Sequence, residues 1–276
     1  ARVQFLNTVI GKMSGVISEP DTIREYGLAT ITSQNRRAFL VEAFNRILIS
    51  RIRAQAGVGG SRFRRGIEVF EERQNLLPFE EAKLYGHNAT HALAAYVGAL
   101  AGARRFTDLA AVPGALPFLR AAFLQESGEA LVRKHASVDP LFTRQGYARY
   151  ADDLLARMTN PYLLDTVERV GRDPERKLGW NDRLVGTVRV ALDQGIEPRR
   201  YVFGAAAALA VLDRSILEQS RPAHELLAPL WRAASPSRTE REAVTGRIET
   251  GLRQLRAWCD SGFSNLECLF EDESDD

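Results

Sequence analysis

Residues 78–96, PFEEAKLYGHNATHALAAY, combine a strong helix signal with a candidate functional site. Alanine and leucine recur through this stretch and no proline follows its first residue, so a helix is predicted over residues 79–102. Its small residues would let a ligand or another segment come close. At about 100° per residue, one side of that helix would carry an amine, an amide and two imidazoles, those of Lys83, Asn88, His87 and His91.

These side chains suit the removal of a proton from an alcohol. Burial lowers the pKa of a lysine, and a general base works best when its pKa is near the operating pH, so Lys83 is a candidate base. The amide of Asn88 can hold an oxygen atom. His91 can donate to the same oxygen or relay its proton.

Two other interpretations of the stretch remain open. In the first, Lys83 is exposed and the histidines are ordinary core residues. In the second, His87 and His91 bind a metal, because histidines at positions i and i+4 share a helix face. No third ligand is evident for such a site.

The rest of the chain divides into a short β-containing N-terminal piece and a mainly helical remainder. Residues 3–13, 28–32 and 39–49 are rich in β-branched and aromatic residues and are predicted to be strands, with a helix-start signal at residues 18–21. Alanine, leucine, arginine and glutamate dominate from about residue 68 onward, so the predicted fold class is mainly α. Further helices are predicted near residues 106–111, 116–135, 141–157, 161–170, 180–194, 198–212, 220–233 and 238–259.

Composition excludes several classes of protein. With 45% hydrophobic and 26% charged residues, the chain is typical of a globular domain and not of a disordered one. No apolar run approaches the ~20 residues of a membrane span, and the start lacks a signal-peptide pattern. Cys259 and Cys268 are too few for a disulfide framework or a cysteine-rich zinc site, so a cytoplasmic location is expected. The chain enters strand-like sequence directly after Ala1, which suggests that part of the protein lies upstream.

Charge is unevenly distributed along the chain. The net charge is +2, yet residues 36–65 hold eight arginines and one acid, while residues 267–276 hold six acids and no base. The acidic end is predicted to be a disordered tail. The arginine-rich stretch could bind a polyanion, but it has little aromatic interleaving and no nucleic-acid motif. A solvated face with a flexible loop at residues 54–61 is therefore favoured, and nucleic acid is not the expected partner.

Lysine is scarce in this chain. Only four of the 37 basic residues are lysines, namely Lys12, Lys83, Lys134 and Lys177. Arginine keeps its proton in proteins, whereas a buried lysine can lose it. The four lysines are therefore candidate functional positions, although codon bias would also explain their small number.

The Lys-x4-Asn-x2-His spacing of Lys83, Asn88 and His91 resembles the motif of the mannitol dehydrogenase family of polyol-specific long-chain dehydrogenases. Residues 160–178, NPYLLDTVERVGRDPERKL, are similar to a segment of the mannitol-1-phosphate 5-dehydrogenase branch. Residues 3–12 resemble the last part of that family's cofactor domain. Two long windows in the right order make the resemblance specific, and it covers nearly the whole chain.

The resemblance implies a helical domain like the C-terminal domain of 6-phosphogluconate dehydrogenase, working with a Rossmann domain that binds NAD or NADP, and an activity that needs no metal. It implies that Lys83 takes the alcohol proton while Asn88 and His91 orient the substrate oxygen. Hydride transfer would interconvert a polyol phosphate such as mannitol 1-phosphate and a ketose phosphate such as fructose 6-phosphate. Arginine suits a phosphate group, and the positions implied for substrate binding are Asn160, Arg169, Arg172, Arg176 and Lys177.

The chain departs from that family at its cofactor half. The glycines at positions 57, 59 and 60 do not have the spacing of a dinucleotide fingerprint, so the cofactor is expected to be bound mainly by a domain outside this chain. We therefore interpret residues 1–66 as the edge of a cofactor domain, residues 67–266 as the helical catalytic and substrate domain, and residues 267–276 as the tail. The alternative function is a non-catalytic helical module that binds a partner or polyanion through residues 36–65.

Overall fold

The chain folds into two compact units in a computed structural model. The first unit contains residues 1–83 and 162–164, and the second contains residues 84–161 and 165–276. The predicted loop at residues 54–61 lies outside the residues that the structure describes. Those described residues are 4–43, 46–52, 66–218 and 221–270.

The first unit contains two three-stranded sheets and two short helices, α1 (Pro20–Glu25) and α2 (Leu77–Glu81). Strand β5 lies between β1, which is antiparallel to it, and β6, which is parallel. In the second sheet, β4 lies between β2 and β3 and is antiparallel to both. The strands are β1 (Thr8–Ile10), β2 (Ser14–Ile17), β3 (Thr30–Thr32), β4 (Asn35–Val41), β5 (Ile47–Ser50) and β6 (Phe70–Arg73).

The strand predictions are partly confirmed. Strand β3 and helix α1 lie where the sequence predicts a strand and a helix start. The strand-like stretch 39–49 contains two apolar runs, residues 39–41 and 47–49, and these lie in β4 and β5, which belong to different sheets. The sequence does not reveal β6, since two of its four residues are glutamates and one is an arginine. Glu71 accepts hydrogen bonds there from Arg46 and Arg73, each at 3.0 Å, so ion pairs replace an apolar face.

The second unit is helical. Its α-helices are α3 (Asn88–Leu100), α4 (Ala115–Ala121), α5 (Glu129–Lys134), α6 (Arg144–Met158), α7 (Val167–Gly171), α8 (Pro174–Lys177), α9 (Val185–Asp193), α10 (Arg199–Leu212), α11 (Ala223–Trp231) and α12 (Arg238–Asp260). Short 3-10 helices are Phe106–Ala111, Pro140–Phe142, Pro161–Leu163, Arg214–Ile216, Arg232–Ala234 and Glu267–Leu269. The mainly α fold class predicted from the sequence is therefore confirmed.

Two of the predicted helices contain a π-helical turn, which we call π1 (Ala82–His87) and π2 (Ala122–Gly128). The prediction of regular α-helices over residues 79–102 and 116–135 is wrong at these turns. A π-turn closes hydrogen bonds between residues five apart, one more than in an α-helix. Each π-turn therefore accommodates one residue more than an α-helix of the same length.

Helix α10 is the centre of the second unit and packs against both α3 and α12. Its residues 205–210, AAAALA, are fully buried. Glycines allow the close approach on both sides. A Cβ atom on Gly204 would overlap the side chain of Leu93 in α3, and one on Gly251 of α12 would lie 2.8 Å from the carbonyl oxygen of Val202.

The end of the described chain also packs into this unit. Ser237 and Glu240 form the capping box that opens α12, as the sequence predicts. Residues 267–269 form a 3-10 helix, and the ring of Phe270 is buried against Phe118 and Phe203. Ordered packing thus continues past the predicted start of the tail, and residues 271–276 lie outside the described part. Within the described residues, no helix has both the length and the apolar character needed to cross a bilayer.

Candidate active site

The residues predicted to carry the chemistry lie on π1 and the first turn of α3. Lys83 and Asn88 are part-buried, and His87 is buried. Lys83 and Asn88 are five residues apart, which is the hydrogen-bond spacing of a π-turn. In a regular α-helix the two positions would point about 140° apart. Lys83 is the last residue of this part of the first unit and Asn88 lies in the second unit, so the placement of the amine beside the amide stays a prediction.

His91 lies beside a carboxylate that the sequence analysis did not single out. Its Nε2 atom is 3.3 Å from Oδ2 of Asp165, and its ring packs edge-to-face on Phe106 with centroids 4.6 Å apart. The other carboxylate oxygen, Oδ1, accepts a hydrogen bond from Nε of Arg169 at 2.8 Å. Asp165 thus joins two predicted site residues, His91 and Arg169.

Asp165 is itself almost fully buried, with 6% of its side chain exposed. Burial alone would raise the pKa of this carboxyl, but His91 and Arg169 outweigh burial and hold the pKa below its ordinary value. Asp165 is therefore a charged group under His91 at neutral pH. The feature of the sequence that could have revealed Asp165 is its spacing of four residues from Arg169, which favours an ion pair at the start of a helix. Thr166 caps α7 there by accepting a hydrogen bond from the N–H of Arg169.

Lys177 is the second buried charge near this segment. It is 3% exposed, and its Nζ atom lies 5.9 Å from the ring centroid of Tyr96 in α3. Burial and, to a smaller extent, the charges of Arg183 and Arg176 together lower the pKa of Lys177 from 10.5 to about 8. Among the described residues, Lys177 forms no salt bridge. A buried ammonium group without a salt bridge is costly, and its lowered pKa makes Lys177 a functional-site candidate.

Two arginines accompany Lys177 and share one carboxylate. Nε of Arg183 donates to Oδ1 of Asp182 at 2.9 Å, and Nη1 of Arg176 lies 3.5 Å from the other oxygen. Arg183 is a residue that sequence reasoning missed, because it falls outside the segment that resembles the family. Tyr96 ties this region to α3 by donating from its hydroxyl to the carbonyl of Gly171 at 3.0 Å.

The remaining predicted substrate residues lie at the edges of these two groups. Arg172 is exposed, and its Nε donates to the carbonyl of Arg169 at 3.1 Å. Asn160 follows α6, where its backbone N–H donates to the carbonyl of Arg157 at 3.2 Å. The structure therefore brings His91 and Arg169 together through Asp165. It groups Arg176 and Lys177 with Arg183.

The described residues offer little support for a metal site at His87 and His91. The rings of His87 and His91 are edge-to-face with centroids 6.2 Å apart. Within the described ranges, no group of three or more His, Cys, Asp or Glu side chains is placed to hold a metal ion.

The fold and the site can be compared with known proteins. Two solved structures share the fold. The first is the Pseudomonas fluorescens mannitol 2-dehydrogenase ternary complex with NAD and D-mannitol, which has a TM-score of 0.67 and 16% sequence identity, with 97% of this chain and 55% of that chain covered. The second is a D-sorbitol dehydrogenase in substrate-free form, with a TM-score of 0.66, 15% identity, and 94% and 53% coverage. The chain thus spans about half the length of both structures.

The family model described as the mannitol dehydrogenase C-terminal domain matches residues 75–243. This range covers more than half of the chain and contains π1, α3, Asp165 and the segment that ends at Lys177. The resemblance inferred from the two sequence windows is therefore confirmed at the level of the family. The chain belongs to the mannitol dehydrogenase C-terminal domain family.

Proposed function

We propose that the protein is a polyol dehydrogenase, with a polyol phosphate as substrate and NAD as the hydride acceptor. The family match over residues 75–243 carries this proposal, because that range contains every residue predicted for catalysis and substrate binding. The mannitol 2-dehydrogenase of the comparison binds NAD and D-mannitol, which supports the same pair of ligand classes here. NAD, when bound, supplies the acceptor for the hydride that leaves the alcohol carbon.

The proton chemistry is assigned to the residues of π1 and α3. Lys83 removes the hydroxyl proton of the substrate. Asn88 and His91 hold the oxygen and stabilise the negative charge that develops on it as the hydride leaves. Asp165, charged and buried beside His91, keeps the imidazole in place and stabilises it when it carries a proton.

The phosphate preference is assigned to the cluster around Lys177. The buried ammonium, together with Arg176 and Arg183, provides positive charge that Asp182 offsets only in part. Arginine pairs well with phosphate oxygens, and Arg169 and Arg172 lie on the same segment, α7 and its C-terminal end. We assign Asn160 to binding of the polyol hydroxyl groups.

A substrate comparison tests the proposal. The full-length protein is assayed for NAD-dependent oxidation of mannitol 1-phosphate, D-mannitol and D-sorbitol, and NADP is tried in parallel. We expect mannitol 1-phosphate to have the highest kcat/KM. A preference for the free polyols would reject the phosphate assignment but keep the dehydrogenase. No oxidation of any polyol would reject the function.

The alternative, a module that binds polyanions through residues 36–65, receives less support. Arg46 in that stretch is held by Glu71 through two hydrogen bonds of 3.0 Å, so this guanidinium group already has a partner within the sheet. Four of the eight arginines in this stretch lie within residues 53–65, which are outside the described part of the chain.

A further inference from the structure

One hydroxyl group, that of Tyr201 in α10, connects residues that hold π1 and π2. Tyr201 Oη lies 2.7 Å from Oγ1 of Thr90 and 3.1 Å from Oγ of Ser127. Thr90 Oγ1 is 2.9 Å from the carbonyl oxygen of Gly86 in π1. Ser127 Oγ is 3.2 Å from the carbonyl oxygen of Phe123 in π2. All three hydroxyl-bearing residues are buried.

Proton counting gives this network a direction. Each hydroxyl has one proton to donate. The carbonyl of Gly86 can only accept, so the proton of Thr90 goes to it. The shortest link, 2.7 Å, then requires Tyr201 to donate to Thr90. Ser127 has one proton for two acceptors, Tyr201 Oη at 3.1 Å and the carbonyl oxygen of Phe123 at 3.2 Å. When Ser127 donates to Tyr201, the chain of donors runs from π2 to the carbonyl in π1. Hydrogen bonds in such a buried chain strengthen one another.

The position of Tyr201 is in turn fixed by π2. The buried carboxylate of Glu126 accepts from the backbone N–H of Arg200 at 2.8 Å and from that of Tyr201 at 3.0 Å. These are the first N–H groups of α10, which have no partner within the helix. The backbone of Tyr201 is therefore bound by Glu126 of π2, and its hydroxyl is linked through Thr90 to the carbonyl of Gly86 in π1.

The carbonyl at the end of the network, that of Gly86, belongs to π1, which leads directly into α3 with Asn88 and His91. Gly86 lies two residues before Asn88, and it has no room to move sideways. A Cβ atom on Gly86 would overlap Tyr147 Oη and would lie 2.7 Å from the ring of Phe123. The network holds the turn from one side and these two rings hold it from the other.

We propose that Tyr201 is a positioning residue, whose hydroxyl holds π1 in its π-helical register through Thr90 and so aims Asn88 and His91. The effect on catalysis rests on the proposed polyol dehydrogenase function. The effect on the turn does not, and it can be measured without activity.

The experiment compares two tyrosine variants of the full chain that lose the same atom. Tyr201→Phe removes the bridging hydroxyl. Tyr26→Phe is the matched control, because it loses the same atom at an exposed position in the first unit. Amide hydrogen exchange of residues 82–91 is followed by mass spectrometry. We expect exchange to rise about five- to tenfold in Tyr201→Phe, and to stay at the wild-type rate in Tyr26→Phe. Equal rates in the two variants would overturn the proposal.

A second pair of variants tests the route through Thr90. Thr90→Val keeps the shape but loses the hydroxyl, and it should reproduce the exchange of Tyr201→Phe. Thr90→Ser keeps the hydroxyl and should restore the wild-type rate. Failure of serine to rescue would show that the methyl packing of Thr90, and not its hydrogen bond, holds the turn, and this would overturn the proposal.

Kinetics of the full-length protein separate the two proposals. We expect Tyr201→Phe to lower kcat for the polyol while the affinity for NAD is unchanged, because only the aim of the oxygen-holding groups is altered. Faster exchange with unchanged kcat would reject the link to catalysis. Faster exchange in Tyr201→Phe, in a protein whose wild type oxidises no polyol, would reject the proposed function and leave the positioning of the turn in place.

Discussion

Nε2 of His91 lies 3.3 Å from Oδ2 of Asp165, and Arg169 binds the other oxygen of the same carboxylate. The carboxylate is buried, so its charge acts on the imidazole with little screening by water. The contact couples α3, which carries the proposed proton chemistry, to α7, which carries the proposed substrate arginine.

Asp165→Asn is expected to lower kcat for polyol oxidation about 10- to 100-fold, because the amide lacks the charge that orients and stabilises the imidazole. Steady-state kinetics of the full-length protein measure this. Asp152→Asn is the control, since it breaks an exposed Asp–Arg pair with Arg120 (2.7 Å) and should leave kcat unchanged. An unaltered kcat in Asp165→Asn would remove Asp165 from the site.

Lys83→Ala is expected to abolish turnover and leave the helical circular dichroism spectrum intact. Lys83→Arg should fail equally, because a guanidinium group does not give up its proton and cannot act as a base. Lys134→Ala, at the exposed C-terminal end of α5, serves as the control lysine and should keep full activity. Normal turnover in either Lys83 variant would contradict its role as the base.

Lys177→Met is expected to raise the melting temperature at pH 7, because it removes a buried charge that forms no salt bridge among the described residues and that Asp173 and Asp182 offset only in part. The sign of the pH dependence follows from the pKa, which falls from 10.5 in the unfolded chain to about 8 in the folded protein. Between these values the unfolded chain binds more protons, so the stability of the wild type should rise with pH. Melting curves from pH 7 to pH 10 test this. The variant should lack the contribution of Lys177 to this rise. The difference in melting temperature between the variant and the wild type should therefore shrink as the pH increases.

The same substitution is expected to weaken binding of phosphorylated substrates more than that of free polyols. KM values for the two substrate types in wild type and variant give the comparison. An equal loss for both types would indicate that Lys177 contacts the polyol chain and not the phosphate.

Glu126→Gln is expected to change how stability depends on pH in the acidic range. Burial raises the pKa of Glu126 to about 7 from 4.5, against the opposing effect of the N–H groups of Arg200 and Tyr201. The folded protein therefore binds the extra proton between pH 4.5 and 7, and its stability should fall as the pH rises through this range, by about 3 kcal/mol in total. Urea unfolding at a series of pH values should show this fall in the wild type and its loss in Glu126→Gln. Glu129→Gln, on the exposed Glu129–Arg133 pair, is the control and should retain the fall.

Local sequence signals predicted much of the fold. The capping box at Ser237 sets the start of α12, and the predicted end at residue 259 differs from Asp260 by one position. Such signals depend on neighbouring residues and are visible without the tertiary structure. The helix predicted over residues 180–194 begins only at Val185, because the chain around Trp180 forms turns. A long-range contact lies next to these turns, where the indole N–H of Trp231 donates to the carbonyl of Leu178.

The π-turns and Asp165 could not be predicted in this way. Residues 82–87 have the composition of an ordinary helix, and their extra residue is stabilised by contacts of Gly86 and Thr90 with residues far away in the sequence. Asp165 lies inside a recognised window, yet its partner His91 comes from another window, and only the packing of α3 against α7 shows the pair. Long-range contacts decide both features.

The π1 turn gives this helix one residue more than an α-helix of the same length needs. Deleting a single residue there, such as Gly86, would leave enough helix-forming sequence to span the same distance as a regular α-helix. The packing of α3 against α10 lies after this turn and should be kept, while the residues within the turn would shift register by one position. The extra residue thus allows the register of the proposed site to change by a single deletion without loss of the helical fold.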